Sequence, residues 1–214
     1  MEDATSRNMK PAEVLDFWFP DDGHHLTTEA HKQFWIWRMQ GHADEAICEN
    51  FAELTKAAAK GQLDDWADTP NGRLALIIAL DQFPRSLWRD SPAAYGQDIK
   101  SASLALEGLE NGDYDALDHV WEKQFCLIAI SHCEGPDHLQ RMDRLVEEAK
   151  KLLMLAPEHL SPVYQMGIDQ NERVREIISR YGRHPHRNNI LGRLSTRAEE
   201  TYINHGKFPH QRSP

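Results

Sequence analysis

Apolar residues recur along this chain at intervals of three and four, the spacing of one face of an α-helix. Val14, Leu15 and Trp18 mark a short first helix begun at Pro11, and Ile47, Phe51, Leu54 and Ala58 form a stripe ending at Gly61. Residues 70–83 are apolar nearly all round (Leu74, Leu76, Ile77, Ile78, Leu80, Phe83), which predicts a central, buried helix. Further stripes follow at Tyr95, Ile99, Ala102, Leu106 and Leu109, and at Leu117, Val120, Trp121, Phe125 and Ile128. Two more run from Leu139 through Met142, Leu145, Val146 and Leu152 to Leu153, and from Val163 through Met166, Val174, Ile177 and Ile178 to Tyr181. A last short helix is expected from Arg197 to about Asn204. Alternating β-branched runs flanking an Asn-Gly or Asp-Gly turn are missing, so no strand is expected.

Punctuation agrees with this reading. Thr69-Pro70, Ser91-Pro92 and Ser161-Pro162 fit an N-cap followed by proline at the first helical position. Thr196 and Glu199 fit a capping box, and Gly61, Gly112 and Gly182 fall where helices should stop. The expectation is an all-α fold of about seven to nine antiparallel helices joined by short loops. It forms a single domain over residues 10–205, with residues 1–9 and 206–214 as mobile ends.

Composition narrows the classes. The chain is 40% hydrophobic and 27% charged, within the range of a globular domain. The three cysteines, Cys48, Cys126 and Cys133, form no C-x-x-C unit, which points to reduced thiols, no thiolate zinc site and a cytoplasmic setting. The longest apolar run, Leu74 to Leu80, is seven residues. A membrane span takes ~20, and no apolar leader precedes Met9, so neither a membrane nor a signal segment is expected. No metal site and no cofactor are expected, because dinucleotide, phosphate-loop and metal-ligand spacings are missing.

The formal net charge is −10, the wrong sign for nonspecific binding to nucleic acid. That charge is unevenly spread. Residues 173–197 hold seven arginines and one acid, Glu176, so this stretch is +6 and the remainder is −16. Either these arginines pair with the protein's own carboxylates, or several converge on an anionic ligand.

Three segments carry candidate chemistry. In the first, Asp81-Gln82-Phe83-Pro84-Arg85 closes the apolar helix, where Pro84 is expected to stop it. A carboxylate buried at Asp81 needs a partner, and Arg85 one turn on is the obvious one. In the second, Ser131-His132-Cys133-Glu134-Gly135 follows a buried-looking run and reads as a helix C-terminus. There His132 and Glu134 are candidate acid–base partners or ligands, or merely polar caps. In the third, Arg183, His186, Arg187, Asn188 and Arg193 lie on a stiff loop that offers many donors to a carboxylate or phosphate. His24 and His25, after Asp21-Asp22-Gly23, read as a solvated turn.

These segments also carry a resemblance. Val14-Leu15-Asp16-Phe17-Trp18-Phe19, Leu80-Asp81-Gln82-Phe83-Pro84-Arg85, His132 with Glu134, and Tyr181-Gly182-Arg183-His184-Pro185-His186-Arg187-Asn188 leading to Leu191-Gly192-Arg193 and Ser195-Thr196 are similar to the marks of a bacterial family of unknown function. The likeness covers roughly residues 12–203. It implies a tetratricopeptide-like superhelical or bundle packing of antiparallel helix pairs around a concave surface, and no established activity. Against the family's pattern, Cys133 stands where serine is expected, His184 where phenylalanine is, and Val174 where histidine is.

Three functions stay open on these residues. The first is a binding module in which Asp81, Gln82, Arg85, His132, Glu134, Arg183, His186, Arg187, Asn188 and Arg193 hold an acidic small molecule or peptide carboxylate. The second is an enzyme with His132 or His186 as acid–base group. The third is a set of structural clamps.

Overall fold

A computed structural model describes residues 9–205 of the protein. The regions expected to be mobile, 1–9 and 206–214, lie outside the described residues apart from Met9. Eleven α-helical segments and no strand are present among the described residues. They are α1 (Pro11–Trp18), α2 (Thr28–Met39), α3 (Asp44–Asn50), α4 (Ala52–Ala59), α5 (Pro70–Asp81), α6 (Phe83–Leu87), α7 (Asp98–Asn111), α8 (Val120–His132), α9 (His138–Leu155), α10 (Ser161–Tyr181) and α11 (Arg197–His205).

The count exceeds expectation for three local reasons. The stripe through Phe51 is two helices, because Phe51 leaves helical geometry at φ −118° and ψ 5°. Pro84 does not stop the chain; it sits in the first turn of α6, where its missing N–H costs nothing. The third is α2, which has no apolar stripe to announce it and buries only His31, Phe34 and Arg38.

The central element is α5. Every residue from Gly72 to Asp81 is buried, and α1, α4, α6, α7 and α8 all pack against it. Each fully buried aliphatic side chain there stabilises the fold by roughly 1.5–3 kcal/mol. Consecutive pairs α7–α8, α8–α9 and α9–α10 are neighbours, as short connections between long helices require. In a linear solenoid each element would touch only its neighbours. Here α1 also lies on α5, and α2 on α10, so the packing closes as a bundle around α5.

Two stripes are rotated from their expected phase. On α7 the inner face is Asp98, Ser101, Ala102, Leu104, Ala105 and Gly108, while Ile99 is 73% exposed. On α10 it is Tyr164, Ile168, Asn171, Val174 and Ile178, and Met166 points to solvent. In both, the inner stripe includes polar residues that a hydrophobic reading passes over. Of the expected caps, Thr69 accepts from the Gly72 amide and Thr196 forms its box with Glu199. Ser161 lies inside α10 and caps nothing; Leu160 holds the N-cap position. Gly61, Gly112 and Gly182 all take positive φ at helix ends. No helix among the described residues is long and apolar enough to cross a membrane.

Gly72 tests the packing at the start of α5. Alanine normally improves a helix by about 1 kcal/mol over glycine. A Cβ here would meet the Trp66 carbonyl well inside contact distance and Thr69 Oγ1 at 2.7 Å. Gly72→Ala is therefore expected to lower stability by about 1–3 kcal/mol, the range for overpacking, as measured by denaturant unfolding.

Candidate functional site

α8 ends inside the protein, so its last carbonyls must find donors away from water. All four do, and each donor comes from another segment. Arg141 on α9 reaches the Ile130 carbonyl at 3.1 Å and the Cys133 carbonyl at 2.9 Å. The Ser131 carbonyl accepts from His138 Nε2 at 3.0 Å and His184 Nε2 at 3.2 Å. The His132 carbonyl accepts from Arg187 Nη1 at 2.9 Å. Cationic and polar donors at this end also suit the helix dipole.

Around this terminus the candidate residues gather. Asp81, fully buried at the end of α5, meets His132 Nδ1 at 2.9 and 3.0 Å. It also meets Gln82 Nε2, and Arg85 Nη1 at 3.2 Å. Burial pushes the Asp81 carboxyl up, but the charge of Arg85 and the His132 bonds outweigh it and hold it far below the usual carboxylate range. Burial, aided by Arg85, pulls His132 down against the opposing pull of Asp81, so the ring is neutral. An ionised Asp81 accepts only, so His132 carries its proton on Nδ1 and its lone pair on Nε2.

Asp98 joins the two halves. One oxygen takes Arg85 Nη2 at 2.9 Å and the other takes Arg187 Nη1 at 3.1 Å. Both guanidiniums lie by the Tyr95 ring, at 5.7 Å for Arg85 and 4.4 Å for Arg187. Arg187 is 4% exposed, and its Nε has no hydrogen-bond partner.

The loop after α10 is pinned by Glu134. Its carboxylate accepts the His184 amide at 2.7 Å and two nitrogens of Arg193. Burial raises the Glu134 carboxyl, and these bonds more than offset it. Arg193 also reaches the His184 carbonyl and Asn188 Oδ1, and Asn188 Nδ2 bonds Ser195. His184 and His186 ring centroids are 5.4 Å apart. Burial, reinforced by Arg187, brings His186 to about 4.

Nine of the ten candidate residues therefore meet in one place. The floor is Asp81, Asp98, His132 and Arg187, and the half-buried rim includes Gln82, Arg85, Tyr95, Glu134, His186 and Arg193. Arg183 sits at the edge, doubly bonded to Glu199 on α11 at 2.7 and 2.9 Å and linked to the cluster through the bond of Glu199 to Asn188. Asp98, Tyr95, His138 and Arg141 belong to the site but escape a reading of the sequence, while His184, legible as part of the histidine-bearing loop, joins it as a donor to the Ser131 carbonyl. Asp98 looks like any acidic residue in a helix's first turn, and Tyr95 looks like part of an apolar stripe. Among the described residues, no three His, Cys, Asp or Glu side chains are arranged to hold a metal ion. A hollow lined by Leu74, Ile77, Leu104, Tyr114, Leu117 and Cys126 has no room for a water molecule and touches none of the candidate residues.

Comparisons with known proteins match these features to a family and a fold. Residues 14–207 match the family described as bacterial protein of unknown function, DUF924. A solved structure of a protein of unknown function from Agrobacterium tumefaciens is similar over 92% of this chain and 97% of that one, with 27% identity and a TM-score of 0.70. No curated protein matches the chain significantly.

Two outcomes follow from the network. Asp98→Ala strands two guanidiniums, one of them buried, and is expected to cost about 3–5 kcal/mol in denaturant unfolding, with Asp98→Asn costing less. The neutral rings of buried His132, His138 and His184 and of half-buried His186 bind fewer protons folded than unfolded, with His138 and His186 at about 4 against an ordinary 6.5. Their stabilisation is thus intact above about pH 6.5 and lost as pH falls toward 4. Unfolding free energies measured at intervals across that window should fall steadily, with net proton uptake on unfolding.

Proposed function

The chain belongs to the DUF924 family of bacterial proteins of unknown function, and we propose that it is a binding protein for a small acidic molecule. The observation that carries this reading is Arg187. Its Nε–H is a buried donor with no acceptor, in a cluster rich in guanidinium N–H groups and half open at its rim. A buried donor left unmet costs about 1–3 kcal/mol, and a carboxylate or phosphate oxygen supplies what it lacks.

Charge sets a further condition. Asp81, Asp98 and Glu134 balance Arg85, Arg187 and Arg193, so an added anion gives the cluster a net negative charge. The neutral rings of His132 and His186 relieve this by taking up a proton. Binding is then proton-linked, and affinity rises as pH falls within the range where the fold is intact.

Calorimetric titration with citrate, succinate, inorganic phosphate and an acetylated dipeptide tests this. The expected result is saturable binding by one class, tighter at pH 6.5 than at pH 8, and roughly 10-fold or more weaker in Arg85→Gln. No binding by the wild type, or binding indifferent to Arg85, leaves the network as a clamp for the loop after α10.

Asp81 favours a second reading at the same place. A carboxylate bonded to Nδ1 at 2.9 and 3.0 Å orients the His132 imidazole as it does in acid–base catalysis. Proton transfer from a bound molecule would then be lost in Asp81→Asn while binding survives. Loss of both together, in a variant that still folds, counts against catalysis.

A further inference from the structure

A second histidine cluster lies outside this site. His24 and His25 lie in a turn as expected, but not a solvated one: His25 is half-buried, His24 is 5% exposed, and its neighbour His31, on α2, is 0% exposed. The Nδ1 atoms of His24 and His31 are 3.2 Å apart. His31 Nε2 receives the Trp35 indole N–H at 3.2 Å and lies 3.2 Å from the Tyr164 hydroxyl on α10. His24 stacks on Phe34 at 4.0 Å and meets the edge of Trp121 on α8 at 4.9 Å. Trp35 stacks on Phe125 of α8 at 4.7 Å.

The indole fixes the protons. It can only donate, so His31 Nε2 is the acceptor and His31 carries its hydrogen on Nδ1. That hydrogen faces His24 Nδ1, which must also be a lone pair. Each ring is therefore neutral, and each vacant nitrogen already faces a donor. A proton added to His31 would point at the indole N–H, and one added to His24 would point at the His31 N–H. Neither fits without separating the groups.

The helix that depends on this arrangement is anchored by few fully buried side chains, with Trp35 and Trp37 packed on the core only partly buried. α2 buries three side chains, His31, Phe34 and Arg38, and only Phe34 is apolar. Arg38 is spent at the other end of α2, donating to the Trp18 carbonyl at the end of α1 and to the Phe34 carbonyl, with its guanidinium 3.4 Å from the Phe34 ring. We propose that the His24–His31 pair is a pH-sensitive latch. Uptake of a proton by either ring frees residues 20–39 from α8 and α10 and uncovers the aromatic surface of Trp121 and Phe125, while α5 and the helices packed directly on it stay in place.

The surrounding charges favour the neutral, closed form. Asp22 on the same loop pulls the other way, but Arg38 on α2, His25 on the loop, His119 before α8 and His159 before α10 all oppose added positive charge. Desolvation is larger than any of these and brings both rings to about 4. Released, the rings return toward 6.5 and take up protons, so opening is favoured progressively below that pH.

Amide hydrogen exchange on the full chain, corrected for intrinsic rates, tests the latch between pH 7.5 and 5. Protection of residues 20–39 should fall roughly 10- to 100-fold per pH unit below about 6.5, for one to two protons taken up, while residues 70–81, which open only on global unfolding, remain the more protected set at every pH. In His24→Gln, whose amide oxygen still accepts from His31 but does not titrate, the pH dependence should be shallower by about one proton. Unchanged protection of 20–39 down to pH 5, or the same opening free energy for 20–39 and 70–81 at every pH, overturns the proposal. So does an unchanged slope in a folded His24→Gln. If that variant does not fold, the wild-type exchange decides alone.

Discussion

The interior end of α8 is the constraint from which the polar architecture follows. Four carbonyls from Ile130 to Cys133 face the protein rather than water, and leaving them unmet would cost several kcal/mol in total. Their donors, Arg141, His138, His184 and Arg187, are bulky polar groups that themselves need partners once buried. Asp98 answers Arg187, Arg85 answers Asp98, and Asp81 answers Arg85 and His132. One helix end thus ties α5, α6, α7, α9 and the loop after α10 into one network.

That network differs in kind from the core around α5. The core gains free energy by removing aliphatic surface from water and is insensitive to pH. The network balances large desolvation costs against bonds of definite geometry and protonation state. Its histidines must be neutral and its carboxylates ionised, so it is sensitive to pH while the core is not. The cluster at α2 obeys the same rule with less apolar support.

The excess of arginine in residues 173–197 is likewise explained largely from within. Arg175 pairs with Asp143, Arg183 with Glu199, Arg187 with Asp98 and Arg193 with Glu134. The basic stretch lies against an acidic body, and the anion suggested by its composition is in the first place the protein's own. What remains for an external ligand is the donor surplus at Arg187 and the half-open rim beside it.

Local sequence determined most of the architecture, because periodicity, proline and capping glycine act through neighbours a few residues away. The all-helical class, the central place of residues 70–83, the start at Pro11 and the stops at Gly61, Gly112 and Gly182 were legible on those grounds. So was the buried need of Asp81 for a cation. Tertiary structure alone decided which polar residues turn inward. Nothing local separates Asp98 from an exposed acid at a helix start, His24 from an exposed turn residue, or Arg183 from Arg187. Each is settled by which helix end or side chain lies opposite, and those partners stand from 7 to 89 residues away along the chain.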